Sequence, residues 1–195
     1  MARIRTFIAV DVGEAIRAEG AALQQQLGRA LGDGIKWTDT ESMHITLLFL
    51  GEVEELDVLS VCRAVAEAVR DVAPFRLEVK GVGAFPTLRR PKIVWGAVTD
   101  GAEALKQLHD LIEAPLLEMG TYRSEERAYT PHLTLGRIAN EDRAGTWSTA
   151  LAKLSGWHAG ETQVREVHVM RSEPGREGPV YTVLSRAKLG GGEEE

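Results

Sequence analysis

The sequence predicts an α+β fold, on three observations. Runs rich in β-branched and aromatic residues occur at 5–11, 43–50, 75–85, 92–99, 131–138, 164–171 and 180–189, and such runs read as strands. Helical patterns lie between them at 14–31, 54–72 and 101–119, with a weaker one at 141–155. The segment from Pro86 to Pro91 is too short for a helical crossover, so the strands on either side of it must pair antiparallel as a hairpin.

Taken in order, Thr6-Phe7-Ile8-Ala9-Val10 opens the chain as a strand and Asp11 ends its apolar run too early for a signal peptide. The 54–72 helix carries Leu56, Leu59, Val61, Cys62, Val65, Ala66 and Val69 as an apolar stripe. Cys62 lies on that stripe and reads as a small core residue. Strand, helix, strand, helix, strand precede Pro86, and a similar series follows Pro91. The order therefore predicts an internal duplication whose halves are related by a pseudo-twofold axis. Residues 1–189 form one compact domain, or two small lobes sharing a core, in this reading, and the acidic tail 190–195, without apolar content, is disordered.

Bulk properties narrow the function. The 195 residues are 44% hydrophobic, ordinary for a soluble globular chain, and carry a formal charge of −6. That charge argues against a broad basic surface coating long nucleic acid, so any nucleic-acid contact is local. Cys62 is the only cysteine, which excludes an intramolecular disulfide and fits a reducing compartment. No apolar run approaches a transmembrane span. The expectation is a cytoplasmic protein with no membrane contact and no obligate protein partner.

Two strands carry polar residues where a core strand should avoid them. Met43-His44-Ile45-Thr46-Leu47-Leu48-Phe49-Leu50-Gly51 returns in the second half as Pro131-His132-Leu133-Thr134-Leu135-Gly136. Burying an unpaired polar group costs about 1–3 kcal/mol, so the pair of motifs needs a reason. Period 2 puts His44, Thr46 and Leu48 on one face and Ile45, Leu47 and Phe49 on the other, and it puts His132 and Thr134 on a shared face. Strands lying side by side near a pseudo-twofold axis would bring two imidazoles and two hydroxyls to one cleft. An imidazole with a free pKa near 6.5 can take or give a proton at neutral pH, and hydroxyls can donate to an anion. Phosphodiester hydrolysis fits that inventory. A single His-x-Thr would read as a hydrogen-bonded core histidine; two in corresponding halves favour a site. No third ligand stands at metal-binding spacing, so neither metal nor cofactor is expected. His109 in mid-helix and His158 near a loop read as solvated, and His168 as an ordinary strand residue.

With both motifs in hand the chain resembles the 2H phosphoesterase superfamily, specifically its RNA 2′,3′-cyclic phosphodiesterase branch, also called 2′-5′ RNA ligase-like. Ile35-Lys36-Trp37, Phe49-Leu50-Gly51-Glu52-Val53, Gly83-Ala84-Phe85-Pro86, Arg90-Pro91 and the run from Pro131 to Arg137 support it in order. The resemblance implies a bilobal fold whose antiparallel sheets line a central cleft with helices outside. It implies metal-independent conversion of a 2′,3′-cyclic phosphate RNA end, on a tRNA fragment or short oligonucleotide, to a 2′-phosphomonoester. His44 would be the proton donor and His132 the proton acceptor, an assignment that comes from the resemblance alone. Thr46 and Thr134 would bind the phosphate. Arg137 would clamp it, although strict alternation puts Arg137 on the face away from His132. Gly136 stands where the family more often has alanine and should loosen the site. Arg89, Arg90 and Lys92 form a basic hairpin tip that could meet RNA or simply be solvated. Alternatives are action on small cyclic nucleotides or 2′-5′ linkages, including end-joining, and RNA-end binding without turnover.

Overall fold

The computed structural model describes residues 2–32, 34–124, 127–139, 144–176 and 178–190. Nine strands and four helices follow one another among them: β1 (Arg3–Asp11), α1 (Gly13–Leu31), β2 (Ile35–Trp37), β3 (His44–Glu54), α2 (Val58–Val69), β4 (Phe75–Thr87), β5 (Arg90–Val98), α3 (Ala102–Glu118), β6 (His132–Ile138), α4 (Ala144–Ala152), β7 (His158–Val164), β8 (Glu166–Pro174) and β9 (Pro179–Lys188). The strands form two sheets, ordered β3-β1-β8-β9 and β2-β6-β5-β4-β7, and all the strand pairings are antiparallel. The α+β class and the β4–β5 hairpin are as expected.

The duplication is real, but its halves are not cut at Pro86. Laying β3-β1-β8-β9 over β6-β5-β4-β7 matches the two His-x-Thr strands and each neighbour in turn. One lobe therefore takes β1 and β3 from the start of the chain and β8 and β9 from its end, while β4 to β7 build the other. The helices cross over: α1 follows β1 yet packs on β7 and α4, and α3 follows β5 yet packs on α2 and β3. Each crossing helix buries an apolar stripe, Ile16, Leu23 and Leu27 on α1 and Leu105, Leu108, Ile112 and Leu116 on α3. At about 25 cal/mol per Å² of apolar surface, stripes of this size tie each lobe to the other's sequence.

Three expectations change. The run 164–171 spans the end of β7 and most of β8, and β7 itself begins at His158. Its apolar face is only Ala159 and Val164, because it is an edge strand whose other side chains are open to solvent, and so thin a periodicity does not reveal it. Leu56 and Leu59 are 76% and 59% exposed instead of core. A tight turn over Glu55–Asp57 precedes α2, and the buried stripe is Val61, Val65 and Val69, with Cys62 half-buried beside it. β2 is a further strand, beyond the seven runs expected. Of the acidic tail, residues 191–195 lie outside the described residues, as do 141–143 of the weak helix.

Candidate active site

The β2 strand pairs only with Gly136–Ile138, so the His132 half of β6 is left to adjoin β3. Each histidine stands at the first position of its strand and is oriented in the same way. His44 Nδ1 lies 2.7 Å from the Ser42 carbonyl and His132 Nδ1 lies 2.7 Å from the Thr130 carbonyl. A carbonyl can only accept, so Nδ1 carries the hydrogen in both rings and Nε2 is left as the working atom. Ser42 is held in turn by a tight turn at Thr40–Ser42, capped by the Asp39 carboxylate accepting from the Glu41 and Ser42 amides. His44 Nε2 meets Thr46 Oγ1 at 3.0 Å.

Aromatic walls restrain both rings. Phe7 stacks on His44 at 5.0 Å and Tyr181 meets it edge-on at 5.3 Å. Phe85 meets His132 edge-on at 5.0 Å, with Trp95 at 6.0 Å. Trp95 lies over Gly83, where a Cβ would come within 2.4 Å of the indole. Gly83→Ala is therefore expected to displace Trp95 and the wall behind His132, costing about 1–3 kcal/mol by overpacking. A urea unfolding midpoint equal to the parent's would contradict this.

Strict alternation fails in each motif at the residue after the threonine, and these failures build the site. In the pairing with β1, Leu48 is opposite Ile8 but Thr46 is opposite Ala9, so Leu47 is an extra, bulged residue. In the pairing with β5, Gly136 is opposite Val94 but Thr134 is opposite Trp95, so Leu135 is the extra one. A bulge shifts the phase of everything beyond it. Leu48 consequently turns into the core, while Phe49, 57% exposed, joins His44 and Thr46 on the cleft face. By the same shift Arg137 joins Thr134 there, which resolves the conflict posed by strict alternation. Phe49 and Arg137 hold corresponding places in the two lobes. The Leu135 carbonyl accepts from the Gln24 side chain at 2.9 Å and from the Thr38 amide at 3.0 Å, so the bulge is held by buried polar contacts. The Thr46 carbonyl accepts from the Tyr129 hydroxyl at 3.0 Å. Gly136 does not loosen this strand: Ile35 and Trp37 fill the space that an alanine methyl would take, coming within 2.9 Å of it.

A cleft of about 1130 Å³ opens between the sheets, and His44, Thr46, Thr134 and Arg137 line it. His132 stands beside Thr134 on the same face of β6 but outside the cleft's own wall. Burial pushes the pKa of His44 below its usual 6.5 against the Ser42 carbonyl and Asp11, which raise it; Arg17 and His132 lower it further. Burial also lowers His132, opposed by the Thr130 carbonyl and assisted by Arg137. His132 is thus near enough to disfavour a proton on His44. Below pH 6.5 the unfolded chain binds protons that these rings resist in the folded state, so their contribution to stability falls as the pH drops.

Arg89, Arg90 and Lys92 lie exposed at the tip and start of the β4–β5 hairpin and do not line the cleft. His109 is covered instead of solvated, stacked on Tyr129 at 4.6 Å. It forms, with Asp110 and Glu113, the one group of three metal-binding side chains within mutual reach among the described residues. None of the three lines the cleft. His158 is exposed on β7, with Nε2 at 3.1 Å from Glu78. His168 is the residue that sequence reasoning missed. Buried to 8% exposure, it lines the cleft with Glu166 and Arg186, and Glu166-x-His168 alternates on its strand much as His-x-Thr does. No helix among the described residues is long and apolar enough to cross a membrane.

Comparison with known proteins places this geometry. An RNA 2′,3′-cyclic phosphodiesterase of Aquifex aeolicus is 29% identical over 189 residues, covering 96% of this chain and 98% of its own. One of Methanothermobacter thermautotrophicus is 32% identical over 187 residues, covering 96% and 100%. Among solved structures, a Thermus thermophilus protein superposes with a TM-score of 0.81 at 28% identity, covering 97% of this chain and 100% of that one. Escherichia coli LigT complexed with 3′-AMP gives 0.79 at 24% identity over 96% and 98%, a likeness of fold. The model of the 2′-5′ RNA ligase superfamily matches residues 15–176, both histidine strands included, and the chain belongs to that superfamily.

Proposed function

We propose that the protein hydrolyses RNA 2′,3′-cyclic phosphate ends to 2′-phosphomonoesters by metal-independent acid–base catalysis, acting in the cytoplasm as one bilobal unit over residues 1–189. The observation that carries this is the matched pair of imidazoles, each fixed by the carbonyl two residues before it and each beside a threonine hydroxyl. The names of the relatives support the substrate class. His132 Nε2 takes a proton from water as the water oxygen bonds to phosphorus. The bond from phosphorus to the 3′ oxygen breaks, and His44 Nε2–H protonates the departing alkoxide. Thr46, Thr134 and Arg137 donate to the phosphoryl oxygens as charge builds there.

Protonation also switches Thr46. Against neutral His44 its hydroxyl donates to Nε2; against imidazolium Nε2 becomes a donor, and the hydroxyl is released to turn its proton toward the phosphate. With a 5′-hydroxyl in place of water as the attacking group, the same site forms a 2′-5′ phosphodiester as the bond from phosphorus to the 3′ oxygen breaks, a second reading that the superfamily's description as 2′-5′ RNA ligase favours.

An RNA ending in a 2′,3′-cyclic phosphate, incubated with the protein and EDTA, is expected to gain one water and a phosphatase-sensitive 2′-phosphate. Activity lost in EDTA and restored by one divalent ion would overturn the scheme, and binding without turnover would leave an RNA-end-binding protein.

The pH dependence follows from the direction of both shifts. With each imidazole lowered in the free protein, the bell for kcat/KM should centre below pH 6.5. A bound phosphate anion favours imidazolium, so the bell for kcat should lie at higher pH. The limbs belong to the coupled pair and not to either ring alone. Superimposable profiles centred above pH 7 would contradict this.

A further inference from the structure

We propose that the β8–β9 side of the cleft is a second phosphate subsite, one that takes the phosphoryl group on the 5′ oxygen of the nucleotide whose 2′,3′ end reacts. The inference rests on the phosphodiesterase reading. Strand register lays Thr46, Ala9, His168 and Arg186 in one row across four strands, with Ala9 opposite Thr46, His168 opposite Ala9 and Arg186 opposite His168. All four line the cleft. Strands are about 4.8 Å apart, so Arg186 stands about 14 Å from Thr46, beyond reach of a phosphate held there. Of the two residues between them, Ala9 offers only a methyl group and His168 gives its Nε2 to Glu166, so the trough for a ribose lies over Ala9. In a nucleoside 2′,3′-cyclic phosphate the 5′ oxygen leaves the ribose on the side away from the reacting phosphorus, toward Arg186 in this row.

The charges on that side are arranged for an anion. Arg186 gives one nitrogen, Nη1, to Glu166 at 2.7 Å, and its Nε and Nη2 have no partner among the described residues. Those two atoms are the fork that grips a phosphate bidentately. Glu166, which also lines the cleft, accepts from His168 Nε2 at 2.6 Å as well, so its carboxylate is engaged twice, and Arg186 Nη1 is positioned 3.1 Å from the buried His168 ring. Arg176, on the turn between β8 and β9, lines the same wall and has no ion pair among the described residues. The other carboxylate on this side, Asp11, is paired with Arg17.

The test compares a nucleoside 2′,3′-cyclic phosphate with the same compound bearing a 5′-phosphate. The parent protein is expected to favour the phosphorylated form by about tenfold or more in kcat/KM, the scale of one charged hydrogen-bonded contact. Arg186→Gln should bring that ratio close to one, and Arg176→Gln should lower it in part. A parent ratio of one, or a ratio unchanged in Arg186→Gln, would overturn the subsite. Binding of a nucleoside 2′-monophosphate and of the matching 2′,5′-bisphosphate, followed by calorimetry, gives the same comparison without turnover. Failure to hydrolyse either cyclic substrate therefore strikes the phosphodiesterase reading, while equal affinity for the two product nucleotides strikes the subsite.

Discussion

His44→Ala is expected to lose about 10²- to 10⁴-fold in rate on a cyclic phosphate RNA end and to recover most of it on an activated aryl phosphodiester. An aryl oxide leaves without a proton, so the general acid has nothing to supply. His132→Ala should lose as much on the RNA end and stay slow on the aryl ester, because water still needs a base. Both rings have the same tautomer and the same carbonyl anchor, so the local geometry of either alone does not assign the roles. Surroundings distinguish them: Asp11 favours a proton on His44, whereas Arg137 disfavours one on His132. Rate profiles of both variants on both esters decide the matter. Equal rescue would sink the assignment, and rescue of His132→Ala alone would reverse it.

Arg137→Ala should be the next most damaging change, slowing hydrolysis about 10- to 100-fold, the range of hydrogen bonds to a charged group. Arg137→Lys keeps the charge but loses the planar fork, and should recover only part. The alanine variant should also raise the pKa of His132, since the guanidinium beside it opposes imidazolium. A shift of the His132 titration toward higher pH, read by imidazole NMR, with a matching shift in the bell for the pair, separates loss of that charge from simple unfolding. Thr134→Val keeps the shape of the side chain and removes a donor, and should weaken phosphate binding and rate together.

The Arg137 position shows where sequence reasoning reaches its limit. Nothing in Pro131-His132-Leu133-Thr134-Leu135-Gly136-Arg137 marks Leu135 as the extra residue, because a bulge is a property of the pairing with β5 and of the Gln24 and Thr38 groups that hold the freed carbonyl. Gln24 lies on α1, 111 residues away from Leu135 in sequence. Phe49 reaches the cleft by the matching bulge at Leu47. His168 reads as a plain strand residue for a similar reason. Its partners are Glu166 two positions back on its own strand and Arg186 on the next, and only the sheet order brings that group within reach of β3 through Ala9.

Residue order alone specifies the two His-x-Thr pairs, the strands that bear them and their antiparallel α+β setting, since these follow from local side-chain alternation and from a connection too short to cross over. Packing of the whole chain sets which sheet each strand joins, the exchange of α1 and α3 between lobes and the phase of each strand beyond its bulge. Those outcomes depend on pairing energies between segments far apart in the chain, and residue order along one strand carries no record of its partner's register.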